Sequence, residues 1–173
     1  MSHQSNLTIT EASPALLEAI REINRRAFES EMESLLVDQL REGGFVIRSL
    51  VALLEDRPVG HILFSGLEIR TDSGSAFAAA LAPMSVLPEF QNQGIGSALV
   101  REGITQCRSA GINALVVLGH PEYYPRFGFQ PDLVRHLKAP FSGPAFMGME
   151  LVPGALRNLH GTVIYPPPFG LGG

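Results

Sequence analysis

The spacing of hydrophobic positions predicts two amphipathic helices near the start of the chain. The first buries a face whose members recur at spacings of four, three and four residues, namely Leu16, Ile20, Ile23 and Ala27. Ser13-Pro14 precedes this face, with the serine as cap and the proline where a helix needs no backbone N–H. The second helix is expected to begin near Glu31 and to end at Gly43-Gly44. Its predicted buried face consists of Met32, Leu36 and Leu40.

Strand patterns occupy most of the chain after these helices. The predicted strands are residues 7–10, 49–55, 59–64, 68–70, 76–87, 114–118 and 145–151, with a hairpin turn at 56–58 and a turn at 71–75. A further helix is expected from Gly96 to about Ser109. The apolar segment 114–118 is expected to run parallel to residues 81–87. Residues 153–173, which contain Pro166-Pro167-Pro168, are predicted to be irregular and to lie over the surface.

Length and composition indicate one folded domain over residues 1–173. A chain of 173 residues can bury a sizeable core, and 45% apolar against 17% charged residues excludes disorder as the main state. The net charge of -4, without a cluster of lysines and arginines, argues against a nucleic-acid-binding protein. The longest apolar run, residues 76–84, is shorter than the roughly 20 residues that span a membrane.

The cysteine and histidine content limits the chemistry that the chain can carry. Cys107 is the single cysteine, so neither an internal disulfide nor a cysteine-based zinc site can form, and a cytoplasmic location is expected. The five histidines are scattered without the spacing of metal ligands, so no metal is expected. Residues 1–10 lack a basic start and an apolar core, so no signal peptide is predicted.

Residues 81–100 combine a strand, a polar loop and the start of a helix. The strand ends at Pro88, the loop follows, and Gly94-Ile95-Gly96 opens the helix. The first N–H groups of a helix have no internal partner, and its dipole places partial positive charge there. Glycines at this point let a phosphate approach the backbone. The stretch predicts an anion site, but it has neither the Gly-Lys-Ser/Thr of a P-loop nor the third glycine of a dinucleotide fingerprint.

Two motifs resemble those of one enzyme family. Gln91-x-x-Gly94-x-Gly96, after Val86-x-Pro88, is similar to the acetyl-CoA motif of the GCN5-related N-acetyltransferases (GNAT), whose pattern is Gln/Arg-x-x-Gly-x-Gly/Ala. Further along, Tyr124 stands four residues before Gly128-Phe129, as a tyrosine of that family does. The predicted order of helices and strands is also the order of the family.

The resemblance implies the fold and the domain organisation. The expected architecture is the GNAT acyl-CoA N-acyltransferase fold, an α/β domain whose central mixed sheet is flanked by helices and contains two splayed parallel strands. The resemblance covers residues 7–135, so the core is taken as about 7–138 and residues 139–173 as a C-terminal extension. The run 119–129 and the tail resemble a bacterial subgroup of uncharacterised predicted N-acetyltransferases.

The resemblance also implies acetyl-CoA as the cosubstrate. Its pantetheine arm would lie between the splayed strands, and its pyrophosphate would meet the backbone N–H groups of the loop and the helix start. The cofactor-binding residues implied in this way are Met84, Ser85, Val86, Gln91, Asn92, Gln93, Gly94, Ile95, Gly96 and Ser97.

The implied chemistry is direct attack of an amine on the thioester. Tyr124 would act as the general acid that protonates the departing thiolate, and a purely structural tyrosine is the alternative. Many relatives carry a carboxylate on the strand before the motif, whereas residues 76–88 here contain no Asp, Glu or His. Glu68 is the first candidate for the general base. The other candidates are Glu29, Glu31, Glu33, His61 and His120.

The leading hypothesis is an acetyl-CoA-dependent N-acetyltransferase that acts on a primary amine of a small molecule or peptide. One alternative is transfer of another acyl group, for which the small residues Ala78, Ala79, Ala80 and Ala82 would leave room. The others are an oxygen acceptor and a CoA-binding domain without catalysis. No nucleic-acid or membrane partner is expected. The apolar stretch 165–171 offers a surface for a homodimer.

Overall fold

A computed structural model describes residues 6–171, which form one mixed sheet with helices packed on it. Its helices and strands within that range are β1 (Leu7–Glu11), α1 (Leu17–Phe28), α2 (Met32–Glu42), β2 (Val46–Leu54), β3 (Arg57–Thr71), β4 (Gly74–Val86), α3 (Ile95–Ser109), β5 (Ala114–Leu118), β6 (Phe146–Glu150) and β7 (Gly161–Ile164). No helix in residues 6–171 combines the length and the apolar character needed to cross a lipid bilayer.

The sheet contains one parallel pair among antiparallel neighbours. Its strand order is β1-β2-β3-β4-β5-β6, and β7 pairs with the far half of β3, beyond the part that β2 covers. Among the strands that the structure describes in residues 6–171, only β4 and β5 pair in parallel, and the helix α3 connects them. This arrangement confirms the predicted mixed α/β sheet.

The parallel pair separates part-way along β4. Pairing with β5 joins Ala79–Leu81 to Leu115–Val117, whereas β4 continues to Val86 beside β3 alone. The expected parallel pairing over residues 81–87 was therefore wrong beyond Leu81. Pro83 lies two residues after Leu81 and has no N–H to donate to a neighbouring strand. The separation leaves a gap between the end of β4 and the end of β5, as the resemblance implied.

The two N-terminal helices cover one face of the sheet. Ile20 and Ile23 of α1 are buried as predicted, although Ser13 makes no side-chain cap and a 3₁₀ turn at Pro14–Leu16 precedes α1. On α2 the prediction was right for Leu40, which is fully buried, and wrong for Met32, which is 76% exposed; Ser34 and Val37 are buried as well. Leu36 packs against the core cluster of Val37 and Leu40 and also lines a cleft.

The C-terminal segment is more regular than the sequence pattern indicated. The prediction of an irregular tail over 153–173 missed β7, whose Thr162, Val163 and Ile164 have the β-branched side chains typical of strands. Tyr165 lies 5.5 Å from Phe141 and 5.2 Å from Phe169 between ring centroids. These partly buried aromatic residues pack against the chain's own core clusters.

Candidate active site

A cleft of about 850 Å³ opens where β4 and β5 separate. Its walls are the end of β4, the first turn of α3, the segment after β5 and the corner between α1 and α2. All of the predicted cofactor-binding residues line it except Gln93 and Ile95, and Tyr124 lines it too. The side chain of Ile95 is instead buried in the core. The structure thus brings most of the predicted site residues together in one place.

The first turn of α3 forms the end of the cleft suited to anions. Gly94 is the residue before the helix and has φ +85°, a left-handed conformation that favours glycine. Helix geometry leaves the N–H groups of Ile95, Gly96 and Ser97 without intrahelical acceptors. A Cβ atom on Gly94 would have no heavy atom within 4 Å, so the space in front of these donors is open. A phosphate group fits this combination of free donors, open space and helix dipole.

The glutamine side chains of the loop are used within the protein. Gln91 donates from Nε2 to the carbonyl oxygen of Val86 at 2.9 Å, which ties the loop to the end of β4. Gln93 donates from Nε2 to the carbonyl oxygen of Glu89 at 3.3 Å. Both side chains therefore shape the loop that presents the N–H groups.

A buried chain of hydrogen bonds lies behind the cleft wall at β4. Ser85 donates from Oγ to Asn24 Oδ1 at 2.9 Å. Asn24 Nδ2 donates to the carbonyl oxygen of Ile20 at 3.0 Å and to His61 Nδ1 at 3.2 Å. Because Nδ1 accepts, the neutral ring carries its proton on Nε2, which lies 2.9 Å from Ser49 Oγ and donates to it. The network holds the cleft strand β4 against α1 and β3.

The sequence analysis missed Asn24 and Ser49 in this network. Asn24 stands four residues after Ile20, so a polar residue on the apolar face of the first helix was the available signal. Its partners are 37 and 61 residues away along the chain, which no local pattern reveals. His61, one of the candidate bases, is fully buried inside the network and does not line the cleft.

The burial of His61 predicts a specific loss of stability in acid. Desolvation lowers the pKa of His61 from its ordinary 6.5 to about 3. Below pH 6.5 the unfolded chain binds a proton here that the folded protein does not, so this contribution is fully present above pH 6.5 and is lost as the pH falls towards 3. Between pH 7 and pH 5 the free energy of unfolding should fall by about 2 kcal/mol from this group.

Urea unfolding of the wild type and of His61→Gln at pH 7, 6 and 5 measures this effect. The glutamine keeps an amide in the network but does not titrate, so the variant should show a flatter pH dependence over this range, where most carboxylates stay ionised. Equal pH dependence in the two proteins would contradict a neutral buried His61.

Tyr124 presents its hydroxyl to the cleft from a buried ring. It opens the 3₁₀ turn Tyr124–Phe127 and is only 7% exposed. The ring packs edge-to-face against Tyr123 and Phe129 and lies so close to Gly119 that a Cβ there would overlap it. Burial, with a smaller contribution from Tyr123, raises the pKa of Tyr124 to about 12. The hydroxyl is therefore protonated at neutral pH, and it makes no hydrogen bond to residues 6–171.

The neighbouring tyrosine supports the anion end of the cleft. The hydroxyl of Tyr123 lies 2.9 Å from Ser97 Oγ, in the first turn of α3. The guanidinium of Arg126 stacks over the Tyr123 ring at 4.6 Å and also lines the cleft. The sequence analysis did not assign a role to either residue.

The structure separates the candidate bases. Glu68 does not line the cleft: it pairs across the sheet with Phe77, accepts a hydrogen bond from Ser75 at 2.7 Å and lies 3.5 Å from Arg70. It stands in the half of β3 that β7 covers, whereas the half beside the cleft contains His61. Of the remaining candidates, Glu33 and His120 line the cleft.

Cys107 is not placed for covalent chemistry. It is buried in α3 and packs in the core, and desolvation raises its pKa to about 12. A thiol that stays protonated and inaccessible is a poor nucleophile.

Comparison with known proteins places the chain in a family. The family model described as Acetyltransferase (GNAT) family matches residues 14–129. The uncharacterized N-acetyltransferase YjhQ of Escherichia coli K12 is 40% identical over 131 residues, which is 75% of this chain and 71% of that protein. The uncharacterized N-acetyltransferase YhbS of the same strain is 34% identical over 148 residues, covering 84% of this chain and 87% of YhbS.

Solved structures agree with this placement. The crystal structure of E. coli YhbS in complex with CoA matches with a TM-score of 0.88 and 31% identity, over 98% of this chain and 95% of that one. A GNAT family acetyltransferase from Brucella melitensis in complex with acetyl-CoA matches with a TM-score of 0.81 and 32% identity, over 96% and 99% of the two chains. The shared fold thus includes the C-terminal extension. The chain belongs to the Acetyltransferase (GNAT) family and is an N-acetyltransferase.

Proposed function

We propose that the protein transfers the acetyl group of acetyl-CoA directly to a primary amine, in the cleft between β4 and β5. One observation carries the proposal: the free N–H groups at the start of α3 and the protonated hydroxyl of Tyr124 face the same cleft. The CoA and acetyl-CoA complexes of the two similar structures support the choice of cosubstrate.

The residues of the cleft fit acetyl-CoA. The backbone of Met84, Ser85 and Val86 has no partner strand on the β5 side within residues 6–171, so the polar groups that point to that side can meet the pantetheine amides, apart from the Val86 carbonyl oxygen that accepts from Gln91. The loop and helix start from Asn92 to Ser97 would hold the pyrophosphate through backbone N–H groups. When bound, acetyl-CoA supplies an activated acetyl thioester.

Tyr124 is proposed to supply the proton that the leaving group needs. The ammonium first loses one proton to solvent, and the neutral amine then attacks. As the C–N bond forms and the C–S bond breaks, the sulfur takes the proton of Tyr124, and the second proton that the nitrogen must lose returns to the tyrosinate and restores Tyr124. A phenol of pKa about 12 is a weak donor to an ordinary thiolate. Removal from water raises the pKa of a thiol, so a thiolate formed where bound substrates exclude water is a stronger base than one in solution.

The geometry of the cleft gives less support to the alternative functions than to acetyl transfer. Ala79 packs in the core with α3, and Ala78 and Ala80 pack in the core on the other face of the sheet, so these alanines do not leave room for a longer acyl chain. Only Ala82 of that group lines the cleft. A CoA-binding domain without catalysis would not require the hydroxyl of Tyr124, so the transfer assay and the Tyr124→Phe variant distinguish the two functions.

A transfer assay tests the proposed function. The purified protein is incubated with acetyl-CoA and a panel of primary amines, and released thiol and acetylated amine are both measured. We expect amine-dependent thiol release with stoichiometric acetylamine, and slower reaction with longer acyl-CoA thioesters. Binding of acetyl-CoA without transfer to any amine would instead favour the non-catalytic domain.

A further inference from the structure

Glu33 has a carboxylate oxygen that the protein itself leaves without a partner. The residue lies in the first turn of α2 and lines the cleft at the corner between α1 and α2. Its Oε2 is shielded from solvent and accepts no hydrogen bond from any group in residues 6–171. A buried carboxylate oxygen without a donor costs free energy, so such a group in a folded protein needs an explanation.

Several other acidic residues near α1 and α2 have arginine partners, while Glu29 and Glu31 at the same corner are exposed to solvent. Asp38 accepts hydrogen bonds from Arg21 and Arg41, and Glu89 accepts them from Arg26. No arginine or lysine forms an ion pair with Glu33 within residues 6–171. Glu33 therefore lines the cleft without an ion pair to the arginines that bind neighbouring acidic residues. A carboxylate in this position can bind a cationic group of a ligand.

The walls around Glu33 are apolar. Ala27, Phe28 and Leu36 line the cleft on the helix side, and Leu118 lines it at the end of β5. Phe28 is 39% exposed and Leu118 is 47% exposed, so both present hydrophobic surface at the opening. The cleft therefore combines one negative group at the corner between α1 and α2 with exposed hydrophobic side chains on both walls.

We propose that Glu33 binds the amine nitrogen of the acceptor, and that the acceptor is a cationic amine carried on an apolar group, an aralkyl- or alkylamine. The proposal rests on the proposed acetyl transfer. Glu33 accepts a hydrogen bond from the nitrogen both as ammonium and after the ammonium has lost a proton to solvent, which orients the lone pair. The hydrophobic rim of Phe28 and Leu118 covers the apolar group, and an acceptor with a carboxylate beside its amine is repelled by Glu33.

The test compares Glu33→Gln with Glu42→Gln, an exposed glutamate on the same helix that does not line the cleft. With saturating acetyl-CoA, the KM of Glu33→Gln for phenethylamine should rise by roughly ten- to a hundredfold, with a smaller change in kcat. Glu42→Gln should match the wild type, and all three proteins should bind acetyl-CoA equally. Wild-type kcat/KM should be higher for phenethylamine than for ethanolamine or phenylalanine.

A stability measurement separates binding from a structural role. Since Oε2 has no partner in the folded protein, Glu33→Gln should melt at the wild-type temperature or above it. A variant KM within twofold of the wild type, a clear loss of stability, or a preference for ethanolamine would overturn the assignment while leaving acetyl transfer intact. Acetyl-CoA binding with no transfer to any amine would overturn both proposals.

Discussion

Replacing Tyr124 by phenylalanine is expected to lower kcat by roughly a hundred- to ten-thousandfold, the usual contribution of a general acid. The ring packs against Tyr123, Phe129 and Gly119, and phenylalanine preserves all of these contacts. The hydroxyl makes no hydrogen bond to residues 6–171, so its removal should not destabilise the fold. The affinity for acetyl-CoA should stay close to that of the wild type, because the backbone of β4 and α3 is proposed to supply that binding.

The matched control is Tyr165→Phe, which removes a hydroxyl from a tyrosine outside the cleft. It should keep wild-type kcat. Steady-state kinetics with calorimetric titration of acetyl-CoA measures both quantities for each variant. A Tyr124→Phe enzyme within threefold of wild-type kcat would show that the thiolate takes its proton from water or another group.

Replacing Gly94 by aspartate is expected to weaken acetyl-CoA binding by at least about a hundredfold. The substitution places a carboxylate in front of the N–H groups of Ile95, Gly96 and Ser97, where the phosphates are proposed to bind. It also forces a side chain into the left-handed conformation at φ +85°. The space around this position is open, so a steric clash with the protein is not the cause.

Gly94→Asn separates the charge from the backbone strain. Asparagine tolerates the left-handed conformation about as well as aspartate and has almost the same size. Calorimetric titration should therefore give an affinity for Gly94→Asn that lies between those of the wild type and Gly94→Asp. Equal affinities for the two variants would mean that charge at the start of α3 does not matter, which contradicts a phosphate site there.

The parts of the site that correspond to a short sequence motif could be predicted from the sequence. A glycine before an apolar helical pattern indicates where the helix begins. The position of the helix start alone determines which N–H groups lack an intrahelical acceptor. Tyr124 was likewise identified from its spacing to Gly128-Phe129, and the structure places it in the cleft.

The rest depends on contacts that a linear pattern does not contain. Glu68 was the first candidate for the base, but only the register with Phe77 shows that this part of β3 is away from the cleft. Asn24 meets Ser85 through a contact across 61 residues. The unpartnered oxygen of Glu33 depends on where the arginines around α1 and α2 point, which is decided by packing.

Hydrogen–deuterium exchange with and without acetyl-CoA tests most directly whether the cleft between β4 and β5 is the cofactor site. In the free protein, peptides covering residues 92–97 should exchange rapidly, because their N–H groups lack partners. Saturating acetyl-CoA should slow exchange in that segment and leave β7 unchanged. Binding by calorimetry with no protection of residues 92–97, or with protection centred elsewhere, would contradict the site and the mechanism built on it.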